Sequence, residues 1–344
     1  MGENRDAGGV KIRLLLIALL LTVLSCSRAS ADGDGITGPV ATLETGARAS
    51  ILTGSDSFEF VYRVRIPKLE DRASLWLPVA ESDNFQEVTL TAVEGPVEGR
   101  EIRDRDFGNR ILYFALGAED SDREIVLRYE VLRREKSSYQ ANEPELMKYL
   151  RAERLTPLHG GFKRIAEEAI AGKSGQWEQA FALYNHVLGL FRYDKSGVGW
   201  GRGDALYACD VKTGNCTDFH SYFIGLSRSV GIPARFAIGA TIPAGRAEGP
   251  IAGYHCWAEF YADGKWVPVD ISEAWKFPAL SDYYFGNHPA NRIEFSLGRD
   301  LVVDPLPPNG PINFLVYPIF EEHGNERILV PELSFKRIKR DDEI

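Results

Sequence analysis

The sequence has little basic charge, few cysteines and histidines, and no apolar run long enough to be a mature membrane span, and each shortage removes a class of function. Lysine and arginine number 40 against 49 aspartates and glutamates, a formal charge of −9 with a pI near 5.3. Phosphate backbones are held by a basic face, so this balance argues against DNA or RNA as a partner. The apolar run Leu14–Leu24, behind Lys11 and Arg13, is too short to cross a bilayer and suits the core of an export signal. Two endings for that signal are open. Ala29-Ser30-Ala31 before Asp32 reads as a cleavage site, and Val23-Leu24-Ser25-Cys26 reads as a bacterial lipobox in which Cys26 becomes the lipidated N-terminus. Both imply export to the bacterial periplasm or cell envelope, with the membrane touched only through an N-terminal lipid anchor. The glycine-rich stretch Ser196–Asp204 lacks the Lys-Ser/Thr ending and the flanking strand of a phosphate loop, which excludes nucleotide binding. No Asp-rich calcium loop and no internal repeat is visible.

What is present divides by hydrophobic period. Residues 1–31 read as the leader and 32–50 as a Gly- and Ala-rich linker. From Ser55 the pattern alternates: Phe58, Phe60, Tyr62, Val64 and Ile66 interleave with Glu59, Arg63 and Arg65, the mark of a half-buried strand. Further short runs at Ser74–Leu77, Glu87–Val93, Arg110–Phe114 and Glu124–Leu132 predict a β-sandwich over 51–136. It holds no Cys or His, so chemistry is not expected there. From Asn142 the period becomes helical, with helices predicted at Pro144–Leu155, Gly161–Ala171 and Gln176–Phe191. Strands at Arg292–Leu297, Leu301–Val303, Asn313–Phe320 and Arg327–Leu329 are expected to complete the second domain's sheet. That domain is bounded at 140–320, with 321–344 as a C-terminal extension, and the fold class is α+β.

The chain is organised around Thr213-Gly214-Asn215-Cys216-Thr217-Asp218-Phe219-His220. Phe219, Tyr222, Phe223, Leu226 and Val230 form one stripe of a 3.6-residue period, Asn215 is a good N-cap, and Gly231-Ile232-Pro233 is a stop. Cys216 therefore falls at the first helical position, where unpaired N–H groups and the helix dipole stabilise a thiolate. Further on, Asp263-Gly264 between two aromatic-rich runs predicts a two-residue hairpin. If Ala262 pairs with Lys265, Trp257 faces Asp270 and His255 faces Ser272. His255 and Asp270 are then diagonal neighbours, roughly 7–8 Å apart by Cα. A cysteine at a helix start, with His and Asp side by side, is a set of nucleophile, base and orienting group.

The Gly-Asn-Cys-Thr-Asp helix start, Gly-Ile-Pro-Ala-Arg at 231–235, His-x-Trp-x-Glu at 255–259 and Trp-Val-Pro-Val-Asp at 266–270 resemble the transglutaminase-like superfamily. The resemblance covers about residues 140–290 and implies a papain-like core with a Cys216–His255–Asp270 triad. It further implies thioester chemistry at a protein, peptide or cell-wall amide, by a protease, amidase or transglutaminase; with no calcium loop in the sequence, no cofactor or metal is expected. One departure is Cys256, where a small residue such as Ala is expected. The resemblance points to Trp200 for oxyanion stabilisation, and Asn215 is the other candidate for contact with oxyanion or substrate.

Alternatives stay open on sequence alone. His220, one helical turn after Cys216, competes with His255 as base. Cys209, Cys216, His220, His255 and Cys256 contain enough ligands for zinc, although their spacings do not match the usual pairs. The same fold without turnover would be a peptide- or cell-wall-binding module. In an exported chain Cys209 and Cys256 are free to pair, leaving Cys216 reduced. His186 and His288 read as histidines outside any catalytic set, His288 on the surface. The aromatic-dense loop 282–288 reads as a flank of the cleft.

Overall fold

In β1 (Ser55–Arg65) the expected alternation is literal: Phe58, Phe60, Tyr62 and Val64 are fully buried while Glu59 and Arg65 are exposed. The computed structural model describes residues 51–140 and 145–339, so the leader with Cys26, the linker and residues 340–344 lie outside the described residues. After β1 come β2 (Ala73–Pro78), β3 (Gln86–Glu94), β4 (Arg100–Arg103), β5 (Arg110–Leu116) and β6 (Glu124–Arg134). β1 pairs with β6 along its whole length, from Ser55 opposite Arg134 to Arg65 opposite Glu124.

The second region supplies α1 (Gly160–Ala169), α2 (Gln176–Leu190), α3 (Ala205–Val211), α4 (Cys216–Ser229), β7 (Ala234–Thr241), β8 (Glu248–Ile251), β9 (His255–Ala262), β10 (Lys265–Val269), α5 (Ile271–Lys276), α6 (Ser281–Tyr284) and β11 (Arg292–Leu297). Its antiparallel sheet has the order β10-β9-β7-β11, with α4 packed on β9 and β7 and the helices α1 to α3 packed on α4. Gly239 of β7 must be glycine, because a Cβ there would lie 1.8 Å from the Ile293 carbonyl of β11. The class is α+β, as expected.

Three elements differ from expectation. The apolar stripe predicted for α4 is instead burial on all sides, from Cys216 to Arg228. A helix at the centre of a fold has no wet face, and its polar residues are met internally: Arg299 reaches Ser221 at 2.8 Å, and Arg228 donates to the Ala234 carbonyl at 3.0 Å and to Glu153 at 2.8 Å. The predicted helix at 144–155 contributes only a 3-10 turn at Leu146–Leu150 among the described residues. Met147 of its apolar set stays 69% exposed, while Tyr149 is drawn edge-on against Trp266 at 4.9 Å. Tertiary contacts decide that segment.

The largest correction concerns the C-terminus. β12 (Ile319–Glu322), β13 (Asn325–Ile328) and β14 (Glu332–Arg337) are neither an extension nor part of the second sheet. They complete the sandwich, whose sheets run β8-β14-β1-β6-β3 and β13-β12-β2-β5-β4. Of the strands expected for the second sheet, β11 joins it, whereas Leu301 makes only an isolated bridge to Ile312. Phe295 of β11 reaches into the sandwich, with its ring 5.7 Å from Phe60 and 5.6 Å from Tyr62. The two expected domains thus share a hydrophobic seam, and the described residues pack as one unit.

Candidate active site

The site is built where the start of α4 meets the β9–β10 hairpin. Asn215 caps α4: its Oδ1 accepts the Thr217 N–H at 3.0 Å, and Asp218 accepts the Asn215 N–H at 2.9 Å. Asp218 also accepts N–H groups of Gly201 at 2.8 Å and Gly203 at 3.3 Å, so one carboxylate fixes both the helix start and the glycine-rich loop. Burial pushes its carboxyl up to about 6, against the pull of those backbone donors. Gly214 leaves room for this arrangement, since a Cβ there would lie 2.2 Å from Asp218 Oδ2.

The hairpin follows its expected register. Asp263 and Gly264 both take positive φ, 51° and 81°, and Ala262 faces Lys265 through to Ala258 facing Val269. Pairing then stops, one residue short of the expectation. Asp270 does not face Trp257 across a ladder, and Ser272 does not face His255, because Asp270 is the N-cap of α5 and accepts the Glu273 N–H at 3.0 Å. Leaving the strand brings its carboxylate onto His255, with Nε2 to Oδ2 at 2.7 Å.

Asp270 is fully buried and holds two further partners that the sequence did not suggest: Arg292 Nη2 at 2.7 Å and Ser272 Oγ at 3.0 Å. Burial alone would raise its carboxyl, but His255 and Arg292 hold it well below the carboxylate range. Burial would likewise lower His255, yet the Asp270 charge and hydrogen bond, with the thiolate, lift it to about 9. Nε2 being taken by Asp270, Nδ1 is the nitrogen left for the Cys216 thiol, which lines the same cleft. Burial works against a Cys216 thiolate, but the hydrogen bonds from Cys256 and His255 and the imidazolium charge outweigh it and hold the thiol well below its ordinary range.

His220 occupies a different place. Its Nε2 accepts the Ile271 N–H at 3.1 Å, which fixes the proton on Nδ1, 3.6 Å from Cys256 Sγ. Burial first, with nearby cations, pushes it down to about 4, so it is neutral at pH 7. His220 donates to the Cys256 sulfur, and the Cys256 thiol, kept protonated by burial and by Cys216, favours the Cys216 thiolate. Cys216 and Cys256 are both free thiols, so the pairing of Cys209 with Cys256 does not form.

A cleft of about 390 Å³ opens over Cys216 and His255, walled by Tyr193, Lys195, Trp200, Tyr254, Lys276 and Tyr317. Trp200 lies on this wall, with the Lys195 ammonium 5.8 Å from its ring. The Asn215 amide is committed elsewhere, as its Nδ2 donates to Tyr254 Oη at 2.8 Å. Other expectations are corrected. His288 is fully buried, edge-on to Trp257 at 5.5 Å, and Phe285 of the aromatic loop packs on Phe181 at 4.8 Å rather than on the cleft. Glu259 of the strand motif is structural: it pairs with Arg235 at 2.7 Å and with Lys136, which ties the hairpin to the stretch after β6.

Residues 163–271, which contain Cys216, His255 and Asp270, match the transglutaminase-like superfamily. The core is transglutaminase-like. An uncharacterised protein of Haemophilus influenzae is 26% identical, covering 79% of this chain and 88% of that one. A solved structure of a candidate cysteine protease from Cytophaga hutchinsonii superposes with a TM-score of 0.58 at 16% identity, covering 84% of this chain and 93% of that one. At that identity the likeness is one of fold, and the transglutaminase-like core here carries its own cleft residues. Tyr254, next to His255 in the strand, is the cleft residue that sequence reading had within reach and missed. Arg292 had no local signal.

Proposed function

We propose that the protein is an exported thiol enzyme that cleaves, or transfers, the acyl group of a protein, peptide or cell-wall amide through a Cys216 thioester. The observation that carries this reading is His255, held by Asp270 at 2.7 Å and lining the floor of the cleft with Cys216, whose thiol its charge holds down. The Cys216 thiolate attacks the amide carbonyl carbon, and the carbonyl π pair moves to oxygen to give a tetrahedral oxyanion. As that collapses, the C–N bond breaks and His255 Nδ1–H gives its proton to the departing amine, leaving a thioester. Water, or an acceptor amine, then attacks the thioester while His255 takes up its proton, and the thiolate is released. Asp270 holds the imidazole in orientation and favours its charged form, and Arg292 and Ser272 hold Asp270. With both ring nitrogens of His220 engaged away from the thiol, the base is His255. The apolar run before Cys26 supports export, whether it ends in lipidation or in cleavage before Asp32. No described helix is long and apolar enough to cross a membrane.

The test is the pH dependence of iodoacetamide alkylation, read by peptide mass mapping. Cys216 is expected to react well below the free-cysteine value of about 8.5. His255→Ala removes that reactivity, His220→Ala retains more of it, and Cys216→Ala abolishes labelling at the most reactive site. A Cys216 that reacts like free cysteine would sink the triad. A screen of peptides and cell-wall fragments, with and without an added primary amine, then separates hydrolysis from transfer.

A further inference from the structure

An oxyanion needs donors fixed where the charge will appear, and they come in pairs. At the first turn of α4 the Thr217 N–H is taken by Asn215 Oδ1, and the Asp218 and Phe219 N–H groups are taken by the Asn215 carbonyl at 3.1 and 3.2 Å. Among the described residues no acceptor takes the Cys216 N–H, and Cys216 lines the cleft, so one backbone donor is free at that helix end. The second donor has to reach the same helix end. Asn215 is adjacent, but its amide is turned to Tyr254.

We propose that Tyr254 is a catalytic residue, its hydroxyl donating the side-chain hydrogen bond to the oxyanion formed when Cys216 attacks a carbonyl; this rests on the acyl-transfer reading above. Tyr254 Oη accepts from Asn215 Nδ2 at 2.8 Å, which orients the phenol and polarises its O–H. The same Asn215 side chain accepts the Thr217 hydroxyl proton on Oδ1 at 2.5 Å, which fixes the amide that faces Tyr254. The bond from Asn215 leaves the phenol proton unused, and a charged oxyanion is a strong acceptor for it. The residue is held in advance of substrate. Its backbone N–H donates to Tyr317 Oη at 3.0 Å, and its ring sits edge-on to Tyr317 at 5.4 Å and 6.2 Å from Phe314. Burial and the neighbouring thiolate keep the phenol protonated and able to donate.

The experiment compares two reactions of the full chain at one sulfur. Acylation of Cys216 by p-nitrophenyl acetate passes through an oxyanion, whereas its alkylation by iodoacetamide is a displacement at carbon that does not. Tyr254→Phe is expected to slow acylation by about 100-fold and to leave alkylation within about twofold. Equal acylation in wild type and Tyr254→Phe overturns the proposal. A parallel fall in both rates also overturns it, since Tyr254 would then only position the nucleophile. If wild-type Cys216 is acylated no faster than free cysteine, the acyl-transfer reading itself fails, and this proposal with it. Should Tyr254→Phe not fold, 3-fluorotyrosine at position 254 keeps the packing and strengthens the donor. Acylation is then expected to quicken while alkylation holds, and an unchanged acylation rate overturns the proposal.

Discussion

The buried Cys216 thiol is held well below its ordinary range, and two neighbours favour its charged form: an imidazolium held by Asp270 and the Cys256 thiol, which stays protonated. The two act over different pH ranges. Turnover is expected to rise as the thiolate forms, well below the free-thiol range, and to fall as His255 gives up its proton near pH 9, because the leaving amine then finds no acid. Alkylation needs only the thiolate and persists above that limb. A turnover profile without an alkaline limb would contradict the assignment of His255. Stability follows the same groups. His255 is raised above its unfolded value, so its contribution is full below about pH 6.5 and is lost as pH climbs through about 9. Asp270 is depressed, so its contribution is present above the ordinary Asp range and is lost as pH falls through its lowered folded value. The Cys256 donor has its own signature. Cys256→Ala is expected to move the alkylation midpoint of Cys216 upward by about one pH unit. Cys256→Ser, which keeps an O–H in place of the S–H, moves it less. An unmoved midpoint in both would mean that the second thiol is only packing.

Among the elements, the start of α4 rests on Asp218, whose carboxylate serves both the cap and the loop that carries Trp200. Gly214→Ala puts a methyl group into that carboxylate. The expected result is a loss of about 1–2 kcal/mol, the scale of a lost N-cap, read as a lower denaturation midpoint, together with weaker protection of Trp200 from fluorescence quenchers. A wild-type midpoint would show that the cap is not held this way. This helix start and the hairpin were legible because their signals are local. An Asn two residues before a polar N–H, an Asp three residues on, and an Asp-Gly pair between aromatic runs act through neighbours in the chain. The failures share the opposite cause. Arg292 meets Asp270 only after the sheet has brought β11 beside β7. The stretch 144–155 has helical spacing, but its buried contacts, Tyr149 with Trp266 and Arg228 with the Arg151 carbonyl, come from distant strands and helices.

Over the whole molecule the C-terminal strands decide whether sandwich and core are separable. β14 lies inside its sheet, pairing with β1 from Phe58–Arg337 to Arg63–Glu332 and with β8 from Glu248–Lys336 to Ile251–Leu333. Leu333 and Phe335 are almost fully buried, each contributing about 1.5–3 kcal/mol. Arg337 makes a bidentate pair with Asp56 at 2.8 and 2.9 Å and donates to the Pro243 carbonyl at 2.9 Å. Pro243 and Ile251, at the two ends of this attachment, both line the cleft over Cys216. Removing everything after Pro331 therefore strips a central strand from the sandwich and frees one rim of the active site in the same step. Set against a total stability of about 5–15 kcal/mol for a folded domain, the loss of two buried side chains, two ladders and the Arg337 contacts is of the same order. The truncated chain is expected to lose its cooperative unfolding transition and the enhanced reactivity of Cys216 together. A peripheral extension would leave both intact. A chain that still unfolds cooperatively but has lost reactivity would mean that β14 serves the cleft rim alone, and that the sandwich holds without it.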